Sequence, residues 1–266
     1  MDQTQRESWA QQGFVKIPGF ADLTTIAAMR AAVRDVIRDA ADGRPIAPAY
    51  ILDERKVLET EGDRVASLPP EDRVSKVFRV HRQIPEFNDF ATKPKLLAIV
   101  AELLGPDLDC FLSQYIFKLP GALGQPWHQD SFYLPFDRGP QVGIWLALSD
   151  ATLDNGPLWV LPSSHTEPVH PVVADRREHA NYAYVEIVDH DTSQAIPVLM
   201  TAGDLLVFHS HLFHKSTDNT STRSREAMVY HYGEAGTVDH SEERFGFVPP
   251  NIDWMPVYRG GEATRN

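Results

Sequence analysis

The sequence has one cysteine, no long apolar run and too little positive charge to balance its acidic residues. Cys110 has no partner with which to close an internal disulfide, which excludes a disulfide-stapled small scaffold. It lies in an apolar-leaning stretch and reads as a buried structural thiol rather than a ligand or nucleophile. No apolar run approaches the roughly 20 residues needed to span a bilayer. The polar opening Met1-Asp2-Gln3-Thr4-Gln5-Arg6-Glu7 lacks the apolar region of a secretory signal. The ending Ala263-Thr264-Arg265-Asn266 is not a peroxisomal Ser-Lys-Leu type. The expected setting is therefore cytoplasmic, without a membrane. Lys and Arg number 25 against 37 Asp and Glu, a formal charge of −12. That balance argues against a nucleic acid or anionic membrane partner, either of which calls for a basic face. The sequence shows no internal repeat and no low-complexity segment, and it does not report the oligomeric state.

What is present suits one domain over 1–266, with an apolar content of 42% to build a core. Residues 1–105 read as helical support. A short helix over 4–12 ends at Gly13, and Phe14-Val15-Lys16-Ile17 is a brief apolar alternation ended by Pro18-Gly19. Asp22 or Thr24 can cap a second helix, in which Ile26, Met29, Ala32, Val33, Val36 and Ile37 recur at helical spacing. Residues 44–75 carry Pro45, Pro48, Pro69 and Pro70 and no period, and read as a long loop, either a lid or a surface excursion. Residues 76–92 are mixed, with strand character at Val77, Phe78 and Val80. Pro94 to Leu104 is a helix ended by Gly105-Pro106.

The rhythm then changes to short strands. They are expected near 110–119, 125–133, 142–149, 157–161, 183–188, 196–200, 204–209, 212–216 and 226–232, with glycine and proline punctuation between them. This spacing predicts a mainly β fold with flanking helices and a jelly-roll, cupin-like core over about 110–232. The charged, proline-rich tail 233–266 is expected to wrap the surface.

The chemistry concentrates at Gln125-Pro126-Trp127-His128-Gln129-Asp130. In an extended segment His128 and Asp130 share one side while Gln129 points to the other. One imidazole and one carboxylate supply two thirds of a two-His-one-carboxylate metal site, which leaves positions open on one face of the metal, as a non-haem Fe(II) oxygenase needs. A lone His-x-Asp is common in solvated loops. The third ligand has to come from elsewhere, and the stretch Gly203 to Ser216 offers His209, His211 and His214.

Taken together these pieces resemble the phytanoyl-CoA dioxygenase family of Fe(II)/2-oxoglutarate oxygenases. The resemblance runs through His128-Gln129-Asp130 with Tyr133-Leu134-Pro135-Phe136, and then Ile144-Trp145-Leu146-Ala147-Leu148. It continues through Asn155-Gly156-Pro157-Leu158, Leu161-Pro162-Ser163-Ser164-His165, and Gly203-Asp204 to His214-Lys215-Ser216. Asn219, Ser221 and Arg225 complete it. A weaker match covers Gln12-Gly13-Phe14-Val15 and the helix after it. The resemblance implies a double-stranded β-helix core and iron held by His128, Asp130 and His214. It also implies that Arg225 and Ser216 hold the distal carboxylate of 2-oxoglutarate. The residue types fit this independently, because an arginine fork matches a carboxylate and would be costly inside a barrel without an anion. His209 and His211 lack the Ser two residues on and the Arg eleven residues on that follow His214.

By the same resemblance, Lys76 and Gln114 match places where the family contacts the reacting end of the cosubstrate. A solvated lysine and a strand hydrogen-bonder are the plainer readings. Trp145 shares a strand face with Gly143, Ala147 and Ser149, and either walls the cosubstrate pocket or packs the core. Phe132 and Tyr133 are placed on the substrate side. His165 is read as structural, and Asn155-Gly156 as a hairpin turn without chemistry. The expected reaction is hydroxylation of a small molecule with O2, coupled to conversion of 2-oxoglutarate to succinate and CO2. Asp130 speaks against halogenation, since related halogenases carry a small residue there. The alternatives are a non-catalytic metal- and 2-oxoglutarate-binding sensor or scaffold, and a zinc hydrolase, which gains nothing from Arg225 and Ser216. The family's substrates span acyl-CoA esters, ectoine and natural products. The acidic balance does not encourage a CoA ester, and Arg79, His81 and Arg82 form the only compact basic run before the barrel.

Overall fold

The structure is a computed structural model that describes residues 1–264. Its helices are α1 (Gln3–Gln12), α2 (Leu23–Ala41), α3 (Arg55–Glu61), α4 (Pro85–Ala91), α5 (Pro94–Leu104) and α6 (Ser241–Phe245). The strands begin with β1 (Phe14–Ile17), β2 (Tyr50–Asp53), β3 (Val74–Phe78), β4 (Leu108–Lys118), β5 (Val142–Ala147), β6 (Leu158–Val160) and β7 (Val173–Ala174). They continue with β8 (Val185–Glu186), β9 (Ile196–Val198), β10 (Leu205–His209), β11 (His214–Ser216), β12 (Arg225–Glu234), β13 (Met255–Arg259) and β14 (Glu262–Ala263).

A large antiparallel sheet runs β1-β10-β5-β12-β4-β13-β14, with β3 also on β4 and β2 on β3. A smaller sheet, β11-β6-β9, faces it, and β7 pairs β8 alone. The arrangement is the jelly-roll, cupin-like core that the strand spacing predicts.

Both faces of the large sheet are covered, and this decides what each strand residue does. Along β12, Met228, Tyr230 and Tyr232 join the core under the helices, while Ala227 and Val229 pack with Trp145, Phe208 and Val160 between the sheets. A strand buried on both sides shows no polar–apolar alternation, and β12 is buried from Arg225 to Gly233. A register shift between His231 and Tyr232 leaves Phe111 unpaired opposite them. Such a bulge re-aims side chains: beyond the pair His231–Leu112 it sets Tyr232 opposite Cys110.

Helix α2 closes the outer face. Asp22 caps it by accepting from the Thr25 amide at 2.7 Å, and Ile26, Met29, Val33, Val36 and Ile37 form its buried stripe. Its polar edge is tied to the sheet at Glu226. Arg30 and Arg34 each reach this buried carboxylate, at 2.7 and 2.9 Å, and the Tyr115 hydroxyl donates to it. Burial alone would raise the Glu226 pKa, but the two guanidinium groups and Tyr115 outweigh it and hold the carboxyl below its ordinary range.

Three expectations are corrected. Residues 44–75 are not a structureless loop: they hold β2, α3 and two 3-10 turns at Gly62–Ser67 and Pro70–Asp72, and β2 extends the large sheet beyond β3. The short β2 lies between prolines and charges, so no period could mark it. Residues 125–133 do not form a strand. Pro126 has no N–H for a ladder, the chain makes one isolated bridge at His128, and Asp130–Phe132 turns into 3-10 helix. The tail does not merely wrap the surface, because β13 pairs β4 and buries Met255 and Val257. The basic run Arg79, His81 and Arg82 is tied to the C-terminal segment. Arg82 and Arg79 pair with Asp253 at 3.1 and 3.4 Å, and His81 is buried between Ser113 Oγ and the Asp253 carbonyl. Burial pushes His81 down to about 4. No helix among the described residues is long and apolar enough to cross a membrane.

The Glu226 cluster generates a stability prediction. A carboxylate with a depressed folded pKa contributes stability that is full above its unfolded value, about 4.3, and is lost as pH falls through the folded value. Glu226→Gln is expected to lower the thermal midpoint at pH 7, by about 2–3 kcal/mol of stability once the solvent access of both arginines is allowed for. The gap to wild type should narrow as pH falls below 4. A gap that stays constant from pH 7 to 3 would contradict this assignment.

Candidate metal and cosubstrate centre

The centre is built from a backbone pairing. The His128 amide donates to the His214 carbonyl and the His214 amide to the His128 carbonyl, both at 3.0 Å. This isolated antiparallel bridge sets the two imidazoles side by side, ring centroids 4.1 Å apart. Each ring is fixed by its Nδ1, which lies 2.8 Å from the Pro126 carbonyl in His128 and 2.9 Å from the Leu212 carbonyl in His214. A carbonyl only accepts, so Nδ1 carries the proton and Nε2 presents a lone pair.

Asp130 completes the group. Its Oδ1 lies 3.6 Å from Nε2 of both His128 and His214, too far for a hydrogen bond. Three acceptor atoms thus converge with no proton between them, within 4.8 Å of one another. Burial, then the neighbouring His128, pushes His214 down to about 4, so it is neutral at pH 7. Burial would raise Asp130, but the neighbouring His214 and His231, the latter through its hydrogen bond, outweigh it and hold its carboxyl well below the usual range. Gln129, extended at φ −116° and ψ 134°, points away, and its Nε2 donates to the carbonyls of Pro168 and His211. His209 and His211 are elsewhere. His209 packs on Trp9 and His165, and His211 Nδ1 meets the Glu167 carbonyl.

His231 was not singled out by sequence reasoning. Its Nε2 donates to Asp130 Oδ2 at 2.7 Å, which leaves Oδ1 to face the histidines. Its signal was parity: 225, 227, 229 and 231 share the inner face of β12.

The second half of the site is a nest of positive charge. Arg225 is 2% exposed and Lys118 5%. They lie directly opposite each other in the β12–β4 pair, an arrangement that destabilises a sheet unless an anion intervenes. Among the described residues neither has an ion-pair partner. Arg225 Nε and Nη2 donate to the Gly156 carbonyl at 3.2 and 3.1 Å, its Nη1 has no partner, and its guanidinium lies over the Trp145 ring, 5.3 Å from the centroid. Burial lowers Arg225 to about 10, which leaves it charged at pH 7. Burial, reinforced by Arg225, pushes the Lys118 ammonium well below the ordinary lysine range. Lys118 Nζ donates at 2.7 Å to Ser216 Oγ, which also accepts from the Gln125 amide at 3.0 Å. With both lone pairs engaged, the Ser216 hydroxyl keeps a proton to donate.

Asn155-Gly156, expected to be a turn without chemistry, is a turn that lies against Arg225. Gly156 supplies the carbonyl that holds Arg225, and at φ +81° a Cβ there would meet Lys118 Cδ at 2.4 Å and the Thr217 carbonyl at 2.5 Å. Lys118 itself was missed, although 114, 116 and 118 share a face of β4.

One cavity of about 630 Å³ joins the two halves. His128, Asp130, His214, Ser216, Arg225, Lys76, Gln114 and Trp145 all line it. Lys76 Nζ lies 5.3 Å from the Tyr184 ring centroid. The outer wall is aromatic and apolar, with Tyr50, Phe132, Tyr133, Tyr182, Phe245 and Phe247. Tyr50 and Phe247 come from the two segments whose structure the sequence did not mark.

Known proteins resemble the chain in sequence and in fold. A cattle protein, phytanoyl-CoA dioxygenase domain-containing protein 1 from Bos taurus, is 32% identical over 213 residues, covering 77% of this chain and 72% of its own. The peroxisomal phytanoyl-CoA dioxygenase of Bos taurus is 29% identical over 280 residues, covering 96% of this chain and 80% of its own. Among solved structures, EvdO2 from Micromonospora carbonacea var. aurantiaca superposes with a TM-score of 0.68 at 22% identity, over 90% of this chain and 93% of its own, a likeness of fold. The profile of the family described as phytanoyl-CoA dioxygenase matches residues 9–227, and the chain belongs to that family.

Proposed function

We propose that the protein is an Fe(II)/2-oxoglutarate-dependent dioxygenase that hydroxylates a small molecule. The observation that carries this is the pairing, in one cavity, of three converging acceptor atoms with a buried arginine whose Nη1 has no partner. Acceptors facing one another call for a cation, and a buried unpaired guanidinium calls for an anion. His128, Asp130 and His214 would hold the ferrous ion, and three ligands leave room for a keto acid and O2. Bound there, the metal supplies O2 activation coupled to decarboxylation of 2-oxoglutarate to succinate and CO2 and to oxidation of a substrate C–H bond.

The protein's part is binding and orientation. Arg225 and the Ser216 hydroxyl would seat the distal carboxylate of 2-oxoglutarate, Lys118 would neutralise it, and Trp145 would keep the guanidinium from turning. Lys76 and Gln114 line the same cavity and are assigned to the cosubstrate's other end. His231 holds Asp130 in orientation. The aromatic outer wall would exclude water from the reacting carbon and favour a substrate with substantial apolar surface.

The test is anaerobic assembly with Fe(II) and 2-oxoglutarate, followed by O2 exposure across a panel of candidate substrates. Succinate formed in step with a hydroxylated product supports the reading, whereas binding of both ligands without turnover on any substrate would favour a sensor or scaffold. His214→Ala is expected to abolish iron binding, while His209→Ala and His211→Ala keep it. The reverse outcome would remove His214 from the ligand set. Arg225→Met should weaken 2-oxoglutarate binding at least ~30-fold, about 2 kcal/mol, with iron binding intact. His231→Ala should weaken iron binding by roughly 10–100-fold, as loss of a group that orients a ligand does. Unchanged iron affinity would make His231 a packing residue.

A further inference from the structure

A second cluster of metal-ligating side chains lies outside this centre, at the base of the excursion that leaves β6 and returns at β9. His170 Nε2 lies 3.0 Å from Glu167 Oε2, and His190 Nε2 lies 3.0 Å from the same oxygen and 3.1 Å from Oε1. One ligand atom from each of the three residues falls within 4.8 Å of the others. The cluster is half-buried, so an ion can reach it from solvent.

Proton counting separates this cluster from an ordinary hydrogen-bonded pair. His190 Nδ1 faces the Asp191 carbonyl at 2.9 Å, while its Nε2 faces the Glu167 carboxylate. Both ring nitrogens thus meet acceptors, and a neutral imidazole has one N–H to share between them. Either the ring holds a second proton or another cation stands between Nε2 and the carboxylate. A carbonyl accepting from Nδ1 is the arrangement that orients a histidine to offer Nε2 to a metal. His128 and His214 show the same use of Nδ1. The rings are also fixed beforehand. Fully buried Phe213 meets His170 and His190 edge-to-face, at centroid distances of 4.9 and 4.6 Å.

We propose that Glu167, His170 and His190 form a second metal site, for a divalent transition ion of the zinc class, that staples the excursion at its base. Two imidazoles and a carboxylate suit zinc, with water as fourth ligand. The excursion holds little regular structure, since β7 and β8 are two residues each. Yet it carries Tyr182, Tyr184 and Val185 into the wall of the cavity. Joining Glu167 and His170 at its start to His190 near its end closes that loop, and ion binding stabilises the closed form. The staple also touches the first centre. The His170 amide donates at 2.8 Å to Gln129 Oε1, and Gln129 stands between His128 and Asp130. The site shares no ligand with that centre and does not depend on the function proposed for it.

The experiment titrates Zn2+ into chelator-stripped full-length protein and reads stoichiometry by calorimetry. Wild type should bind two equivalents, His190→Ala one, His214→Ala one, and the double variant none. Wild type binding one equivalent that His190→Ala leaves unchanged would overturn the proposal, the cluster then being an imidazolium–carboxylate pair. Two equivalents retained by His214→Ala, with one lost in His190→Ala, would sustain this site and sink the metal assignment of the first. Limited proteolysis within 171–189 gives a reading that does not depend on His190→Ala folding. In His214→Ala, Zn2+ at one hundred times its Kd should slow cleavage by up to ~100-fold. No protection there would also overturn the proposal.

Discussion

Two backbone hydrogen bonds, exchanged between His128 and His214, carry the rest of the site. They join a loop that could not become a strand to the first residue of β11. Everything chemical follows from that registration. It sets the imidazoles side by side, lets nearby carbonyls take each Nδ1, and brings Asp130, two residues on, against both Nε2 atoms. A slip of one residue in this bridge would turn one imidazole to the opposite face. The bridge is protected by what surrounds it. Gly124 passes so close to β11 that a Cβ there would lie 1.9 Å from the Ser216 carbonyl, so only glycine lets the chain enter at this angle.

Strand β12 is the second constraint, and it works by facing two ways. Arg225 points between the sheets and Glu226, the next residue, points under α2. The outer carboxylate meets two guanidinium groups and a phenol, so the start of the strand is anchored from outside. The inner guanidinium meets a carbonyl and a tryptophan ring and no anion. Burying that cation opposite Lys118 is costly, and the helix-side anchoring offsets the cost. Fold stability and ligand demand are thus divided between adjacent residues of one strand.

How much of this was legible in the sequence depends on whether the signal was local. The strand rhythm from 110 to 232 and the capped, periodic α2 stood out because their hydrophobic pattern repeats within a few residues. His128 and Asp130 could be paired from residue type and spacing, whereas the choice of His214 among three histidines, and the role of Arg225, came from the resemblance to the family's motif. Lys118 and His231 were hidden by the double burial of their strands, where inward and outward residues look equally apolar and only parity with Gln114 and Arg225 could reveal them. β2 and β13 were illegible for a different reason. Each is a few residues long, flanked by proline and charge, and stable only because a sheet edge was waiting for it. Their side of the cavity, with Tyr50 from one and Phe247 ahead of the other, is therefore the part least written in local pattern.

The account rests on a cation and an anion sharing one cavity. The most direct measurement is a crystal structure of the protein grown without oxygen with Fe(II) and 2-oxoglutarate, with iron located by its anomalous signal. The account predicts one iron peak bonded to His128 Nε2, His214 Nε2 and Asp130 Oδ1, and a keto acid whose distal carboxylate meets Arg225 Nη1 and Ser216 Oγ. Iron absent from those three atoms, or a dicarboxylate bound away from Arg225, would contradict it.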